Sequence, residues 1–287
     1  MAIQVKPSGS ALGAEITGAD LTQPLDDATF AQIRAAFYQH EVIYFRGQPL
    51  SDEDQIRFTK HFGELRKLKL SSQPQVAHAE IFVVSNIRKD GKPIGSYDAG
   101  SLWHTDGAYL AKPHAISALR ALEVPAQNGR TLGDTNFAST SAAYDALPQS
   151  MKKRLEGVHA VQSFEQHLAK TGGGGVKKDI YSTVKAAAEV MHPLVRVHPV
   201  NGRKCLYVTE GYTARIVGLP DDESCGLIAE LAAHCVKPEF TFLHNWRQHD
   251  LVMWDDCSTQ HKATFDYPAS LPRLLHRTTV IGGAALH

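Results

Sequence analysis

Apolar positions recur along this chain with two different periods. Helical spacing is clearest over 27–40, where Phe30, Ile33 and Phe37 share one face and Asp26 or Asp27 is placed to cap the first turn. Ser51 followed by Asp54 has the spacing of a capping box. Gln55, Phe58 and Phe62 continue that second helix until Gly63 stops it. Residues 139–170 are expected to be helical through Ala142, Tyr144, Leu147, Met151 and Leu155. The same holds for 221–236, through Leu227, Ile228, Leu231 and Ala232. Short apolar runs bounded by turn residues predict strands instead. These are Val42 to Phe45, Ile81 to Asn86, 114–123, 131–135, Leu194 to Val197, Leu206 to Val208, Leu251 to Trp254 and Leu274 to Ile281. One or two more are expected before residue 25, around Leu12, Ile16 and Leu21, and Asp90-Gly91 reads as a turn.

Strands therefore lie at both ends of the chain, with helices between and beside them. The order does not alternate as βαβα, so the expected class is mainly β with helical cover, as a mostly antiparallel sheet or double sheet. No repeat and no linker divides residues 1–287, which predicts a single domain. The polar stretch 66–80 reads as a loop. Thr171-Gly172-Gly173-Gly174-Gly175 cannot be a helix interior, because consecutive glycines cost backbone entropy, and a mobile lid loop is expected around 160–190.

Composition narrows the function. The 287 residues are 43% apolar and 21% charged, as in an ordinary soluble domain. No apolar run reaches the length of a membrane span, and Met1 to Pro7 lacks the pattern of a secretory signal. Lys plus Arg equal Asp plus Glu at 30 each, so there is no basic footprint for nucleic acid and a small ligand is expected. Cys205, Cys225, Cys235 and Cys257 form no C-x-x-C pair; reduced thiols in a cytoplasm are the plain reading. Fifteen histidines stand out and direct attention to metal binding.

The sharpest feature is Trp103-His104-Thr105-Asp106. In an extended segment, residues two apart share a face, so His104 and Asp106 can reach one ion. Taken alone, the plainer reading is a surface turn with a solvated carboxylate. Context changes this: Leu251 to Trp254 runs into a polar turn at Asp255-Asp256, and His261 follows. By itself His261 is an ordinary core or surface histidine. As a third ligand it completes two histidines and a carboxylate, a set that suits non-haem Fe(II) and leaves positions open for substrate and O2. Zinc more often takes three or four N/S ligands, and a zinc hydrolase would need a motif such as H-E-x-x-H, which is absent. Downstream, Arg273, Leu275 and Arg277 share a strand face. Two guanidinium forks there suggest a bound di-acid or two anionic ligands; otherwise they are surface arginines.

Together these residues resemble the taurine dioxygenase and 2,4-dichlorophenoxyacetate dioxygenase family of Fe(II)/2-oxoglutarate-dependent oxygenases. The matching pieces are Leu12 to Gly18, Val42 to Ser51, Phe62-Gly63-Glu64-Leu65, Trp103 to Asp106, Gly133-Asp134-Thr135, Trp254-Asp255, His261 and Arg273 to Arg277. They occur in family order over nearly the whole chain. The resemblance implies a double-stranded β-helix (jelly-roll) core. It implies His104, Asp106 and His261 as iron ligands, and Thr135 with Arg273 on the distal carboxylate of 2-oxoglutarate. Arg277 would lie near the substrate's anionic group or the cosubstrate's proximal carboxylate. The implied reaction uses Fe(II), 2-oxoglutarate and O2, hydroxylates a small organic anion (a carboxylate, aryloxyalkanoate or sulfonate), and releases succinate and CO2. Cleavage follows where the carbon carries a heteroatom. Asp106 argues for hydroxylation over halogenation. Relatives are commonly dimers or tetramers, so a homo-oligomer is expected. The alternative is a metal- and acid-binding sensor module on the same fold, without turnover.

Three departures bear on substrate. Arg66-Lys67-Leu68-Lys69 stands where taurine dioxygenases carry histidine, Tyr97 to Gly100 lacks their asparagine, and Asp256-Cys257 stands where relatives often read N-R. Taurine is therefore disfavoured. Lys67 and Lys69 would add positive charge at the mouth of the site, unless they are solvated loop lysines.

Overall fold

The computed structural model describes residues 3–68, 77–97, 99–172 and 189–283. Strands β1 (Gln4–Pro7) and β2 (Ala14–Thr17) form a hairpin at the start. Helix α1 (Asp27–His40) follows, capped by the Asp26 carboxylate, which accepts from Thr29 N. Then come β3 (Val42–Phe45), α2 (Asp52–Lys60) with a complete Ser51/Asp54 capping box, β4 (Phe82–Ser85) and β5 (His114–Glu123). The middle holds β6 (Thr135–Ser139), α3 (Thr140–Asp145), α4 (Gln149–Arg154), β7 (His159–Gln162) and α5 (Phe164–Thr171). The remainder is β8 (Val190–Pro193), β9 (Val195–Val197), β10 (Lys204–Leu206), β11 (Thr213–Ile216), α6 (Asp221–Cys235), β12 (Thr241–His244), β13 (Leu251–Asp255), β14 (Thr259–Ala263) and β15 (Leu274–Ile281).

The principal sheet has seven strands in the order β1-β2-β3-β13-β5-β15-β4, antiparallel except where β2 meets β3. A second sheet, β12-β6-β14, faces it. Strand alternation sorts the side chains between two cores. On β13, Leu251 and Met253 pack with Ile33 and Phe37 of α1 and Ile56 and Phe58 of α2. Val252 and Trp254 point the other way and pack with Phe137 of β6 between the sheets. On β15, Leu275 faces this interior while Val280 faces the helices. The result is the jelly-roll core with helical cover. A third cluster, around Tyr144, Leu194, Leu206, Leu227 and Leu231, joins α3 and α6 to the smaller sheets.

The structure differs from several expectations. The 139–170 span is not one helical region: Pro148 opens a fresh helix, Gly157 turns the chain at φ 71°, and His159 to Gln162 pairs as β7 with β8 and β11. The strand expected at 131–135 is split: Arg130–Thr131 pairs with Ala126–Gln127 in a short hairpin, Gly133 turns the chain at φ 78°, and the next strand begins at Thr135. Of the expected lid loop, 160–162 end β7 and 164–171 form α5; residues 173–188, with three of the four glycines, lie outside the described residues. Strand β14, Thr-Gln-His-Lys-Ala, was not expected, since it has no apolar run. No helix among the described residues is long and apolar enough to cross a membrane.

Glu41 ends α1 with φ 63° and is buried, with Ser141 Oγ and Arg203 Nη1 (2.9 Å) donating to its carboxyl. Burial outweighs these donors and pushes its pKa up to about 7. The folded chain thus binds a proton that the unfolded chain releases near 4.5, so this contribution is full at low pH and is lost as pH rises through about 7. Unfolding free energies of wild type minus Glu41→Gln are expected to fall by about 3 kcal/mol between pH 4.5 and 7.5; a flat difference would contradict this.

Candidate active site

Two backbone contacts bring the distant candidate ligands together. Strand β14 pairs with β6, placing His261 opposite Phe137. The 103–106 segment then adds to the free edge of β14 through an isolated bridge: His104 N donates to His261 O at 3.1 Å, and His261 N to His104 O at 2.9 Å. Ala263 N donates to Gly100 O and Thr105 Oγ1 to Thr259 O, both at 2.9 Å, which fixes the register. Gly107 turns the chain directly after Asp106 at φ 69°. A Cβ there would sit 2.7 Å from the His114 ring, so only glycine fits without displacement.

His104 Nε2 lies 3.7 Å from Asp106 Oδ1, and His261 Nε2 lies 3.9 Å from Asp106 Oδ2. All three side chains are buried and their donor atoms lie within 4.8 Å of one another. His104 Nδ1 donates to the Leu102 carbonyl at 2.9 Å, which turns Nε2 toward the cluster, the usual arrangement behind a metal-bound imidazole. Burial opposes the Asp106 charge, but Arg277, followed by His104, outweighs it and holds the carboxyl well below its usual range. Burial, reinforced by His104 and Arg277, depresses His261, so its imidazole is neutral. A neutral imidazole and an ionised carboxylate are the forms that ligate. The donor set fits a divalent iron with room for further ligands.

Two other groups of potential ligands lie within the same distance limit among the described residues. In His198/Asp255/Cys257 both imidazole nitrogens are engaged: Nε2 with Asp255 Oδ2 at 2.6 Å, and Nδ1 accepting from Val200 N and Asn201 N. In Asp106/His114/Asp256 a single hydroxyl, Ser117 Oγ, bridges Asp106 Oδ2 (2.9 Å) and Asp256 Oδ2 (2.8 Å). Burial, then Asp106, pushes Asp256 well above the carboxylate range. Neither group supplies the two imidazoles and one carboxylate of the first.

The arginines separate into two positions along one face at the start of β15. Arg273 is buried, its Nη2 3.2 Å from the Gly133 carbonyl and its backbone held by Asn86 Oδ1 and Ser85 Oγ. Gly133 permits this approach, since a Cβ would lie 3.1 Å from Arg273 Nε and 2.9 Å from the Tyr267 ring. Thr135 stands two residues further on, buried, its Oγ1 accepting from Trp246 Nε1 at 3.0 Å. Arg277 reaches the ligand cluster itself: Nη1 lies 2.8 Å from both oxygens of Asp106, and its guanidinium stacks over Phe82.

Beside Arg277 runs a narrow cleft of about 30 Å³ lined by Arg66, Leu68, Phe82, Tyr109 and His114. The cation of the 66–69 segment that lines it is Arg66, not Lys67. Lys67 has a side chain 71% exposed, with Nζ 3.9 Å from Glu80, and Lys69 lies outside the described residues. Arg66 N donates to Thr279 O at 2.8 Å, and Leu65 bridges Val280, so the segment runs as an extended edge against β15. Alternation then turns Arg66 and Leu68 inward and Lys67 outward. The apolar Leu68 was the available signal for this. Tyr109, Tyr212 and Phe164 form an aromatic wall next to His104, with Tyr212 5.9 Å from the His104 ring.

The description "Taurine catabolism dioxygenase TauD, TfdA family" matches residues 4–279. The chain is 33% identical to an alpha-ketoglutarate-dependent 2,4-dichlorophenoxyacetate dioxygenase of Cupriavidus pinatubonensis, over 100% of both chains. It is 34% identical to an alpha-ketoglutarate-dependent sulfate ester dioxygenase of Pseudomonas putida, over 98% of this chain and 90% of the relative. Among solved structures, AAD-2 in complex with Mn(II) and N-oxalylglycine superposes with a TM-score of 0.85 at 29% identity, covering 100% of both chains. A likeness of this extent reaches through both sheets and every ligand-bearing segment, and it places the chain in the TauD/TfdA family, as a 2-oxoglutarate-dependent dioxygenase that works with Fe(II) and O2.

Proposed function

We propose that this enzyme oxidises a small organic anion with an apolar or aryl body, and that His104, Asp106 and His261 hold its iron. When bound, the iron with 2-oxoglutarate and O2 supplies an oxidant able to break a substrate C–H bond, one oxygen atom going to carbon and the other to succinate as CO2 leaves. The chain's own residues prepare that event. Arg273, with Thr135, holds the distal carboxylate of 2-oxoglutarate; burial makes its fork-shaped charge pairing strong. Arg277 and Arg66 hold the substrate anion, with Arg277 close enough to Asp106 to orient it against the ligand cluster. Phe82, Tyr109 and Leu68 exclude water and support the apolar body.

The observation that carries this reading is the position of Arg277: one guanidinium touches a ligand carboxylate and lines the cleft shared with Arg66. Relatives act on dichlorophenoxyacetate, sulfate esters and sulfonates, all organic anions. The free Cys205, Cys225, Cys235 and Cys257 support a reducing, cytoplasmic setting. The test is a panel of aryloxyalkanoates, alkyl sulfate esters, sulfonates and taurine, scored by succinate release with Fe(II) and 2-oxoglutarate. The reading expects turnover with an aryl or alkyl anion and little with taurine. Release that is equal with uncharged analogues would overturn it.

The two cations of the 66–69 segment separate by variant. Arg66→Leu is expected to raise the KM for the anionic substrate by about tenfold or more, the loss of one charge-assisted contact. Lys67→Leu is expected to leave it within about twofold, as for an exposed pair. The reverse order would place the substrate elsewhere.

A further inference from the structure

A second cavity, of about 300 Å³, lies on the far side of His114 from the metal cleft. Its walls are largely apolar, with Ile116, Pro199, Val200 and Tyr38, but two buried nitrogen donors border it. Arg196 is only 4% exposed, and neither its Nε nor its Nη1 meets a hydrogen-bond partner. Its guanidinium stacks on the Tyr207 ring at 4.5 Å. His114 is equally buried and lines both cavities. Its Nε2 lies 2.6 Å from Arg66 Nη1, an obligate donor, so Nε2 accepts and the proton sits on Nδ1. That Nδ1 has no partner either.

The neighbouring charges are already matched. Arg203 pairs with Glu41 at 2.9 Å and His198 with Asp255 at 2.6 Å. The other Asp255 oxygen accepts from Cys257 N at 2.8 Å. Among the described residues Arg196 has no ion-pair partner within 4.0 Å. The Asp255 carboxylate lines the same cavity and acts on Arg196 electrostatically without forming an ion pair with it, and two unpaired donors around one cavity call for an acceptor. The volume reaches the lower bound of small-molecule pockets.

We propose that this cavity is a second ligand site, separate from the metal cleft, that binds an apolar monocarboxylate with its carboxylate on Arg196 and its body against Ile116, Pro199 and Val200. The shape favours an acid with one charge and a compact hydrocarbon or aryl group, because the other basic side chains on the wall, His198 and His114, are held by Asp255 and Arg66. His114 is the partition between the two cavities, with Arg66 on its other side, so an occupant here touches a residue that also borders the substrate cleft.

The test uses benzoate as probe and benzamide as the uncharged isostere, titrated into the full chain labelled at isoleucine methyl groups. Ile116 lines the second cavity and not the metal cleft, so its methyl resonance reports this site alone. A saturable Ile116 shift is expected with benzoate and not with benzamide. Arg196→Met should weaken it by at least about tenfold, while Arg277→Met should leave it within about threefold. Should Arg196→Met fail to fold, Val200→Trp serves instead: Val200 is 60% exposed at the rim, and the indole should block the shift. No Ile116 shift in the wild type, an equal response to benzamide, or an affinity that follows Arg277 rather than Arg196 would each overturn the proposal.

Discussion

Asp106→Ala is expected to abolish succinate release from 2-oxoglutarate. The carboxylate is one of three donors to the proposed iron and the only negative one, so its loss should exceed the roughly 10- to 100-fold cost of removing an outer-shell partner. A rate loss on the order of 1,000-fold or more is the expected reading. The alanine variant also strands Arg277, whose Nη1 lies 2.8 Å from both Asp106 oxygens. Breaking a buried pair in this way typically costs about 3–5 kcal/mol of stability. Asp106→Asn keeps the shape and separates the effects: it should retain more of the wild-type Tm than alanine while losing turnover to a similar extent. Substantial turnover in either variant would remove Asp106 from the metal centre.

Arg273→Met is expected to act on a different quantity. Arg273 is buried and anchored on the Gly133 carbonyl, and its remaining donors are the ones proposed for the distal carboxylate of 2-oxoglutarate. Truncating one side of a buried charge pair costs roughly 2–5 kcal/mol, which is about 30- to several-thousand-fold in affinity. The KM for 2-oxoglutarate should rise by that factor, with a much smaller change in the KM for the organic substrate. Arg277→Met should show the opposite split. A Michaelis series in each ligand, for both variants, checks the assignment; identical behaviour of the two would merge the subsites.

What the amino-acid order reveals depends on whether apolar periodicity carries the element. Leu251 to Trp254 and Leu274 to Ile281 are legible because alternate residues face two cores, and the shared face of Arg273, Leu275 and Arg277 follows from that alternation. Strand β14 is not legible. Thr259, Gln260 and His261 are buried as polar residues: Thr259 Oγ1 donates to Asp255 O at 2.7 Å and Gln260 Nε2 to Val208 O at 2.7 Å, while Gln260 Oε1 and His261 Nδ1 meet no partner. Such a strand has no hydrophobic signature, although it carries a proposed iron ligand. The helical expectation for 139–170 holds for α3, α4 and α5 and misses β7 for a related reason: His159 to Gln162 supports either period until β8 and β11 pair with it. Charge alone draws attention to Lys67 and Lys69, whereas the period-two rule applied from Leu68 selects Arg66, which lines the cleft while Lys67 is exposed; Lys69 lies outside the described residues.

The central claim is that one ion sits among His104, Asp106 and His261. Its most direct test is a crystal structure of the chain grown anaerobically with Fe(II) and 2-oxoglutarate. The account predicts a single iron bound by His104 Nε2, an Asp106 oxygen and His261 Nε2, with the distal carboxylate of 2-oxoglutarate on Arg273. Iron bound instead at His198, Asp255 and Cys257, or 2-oxoglutarate lying away from Arg273, would contradict it.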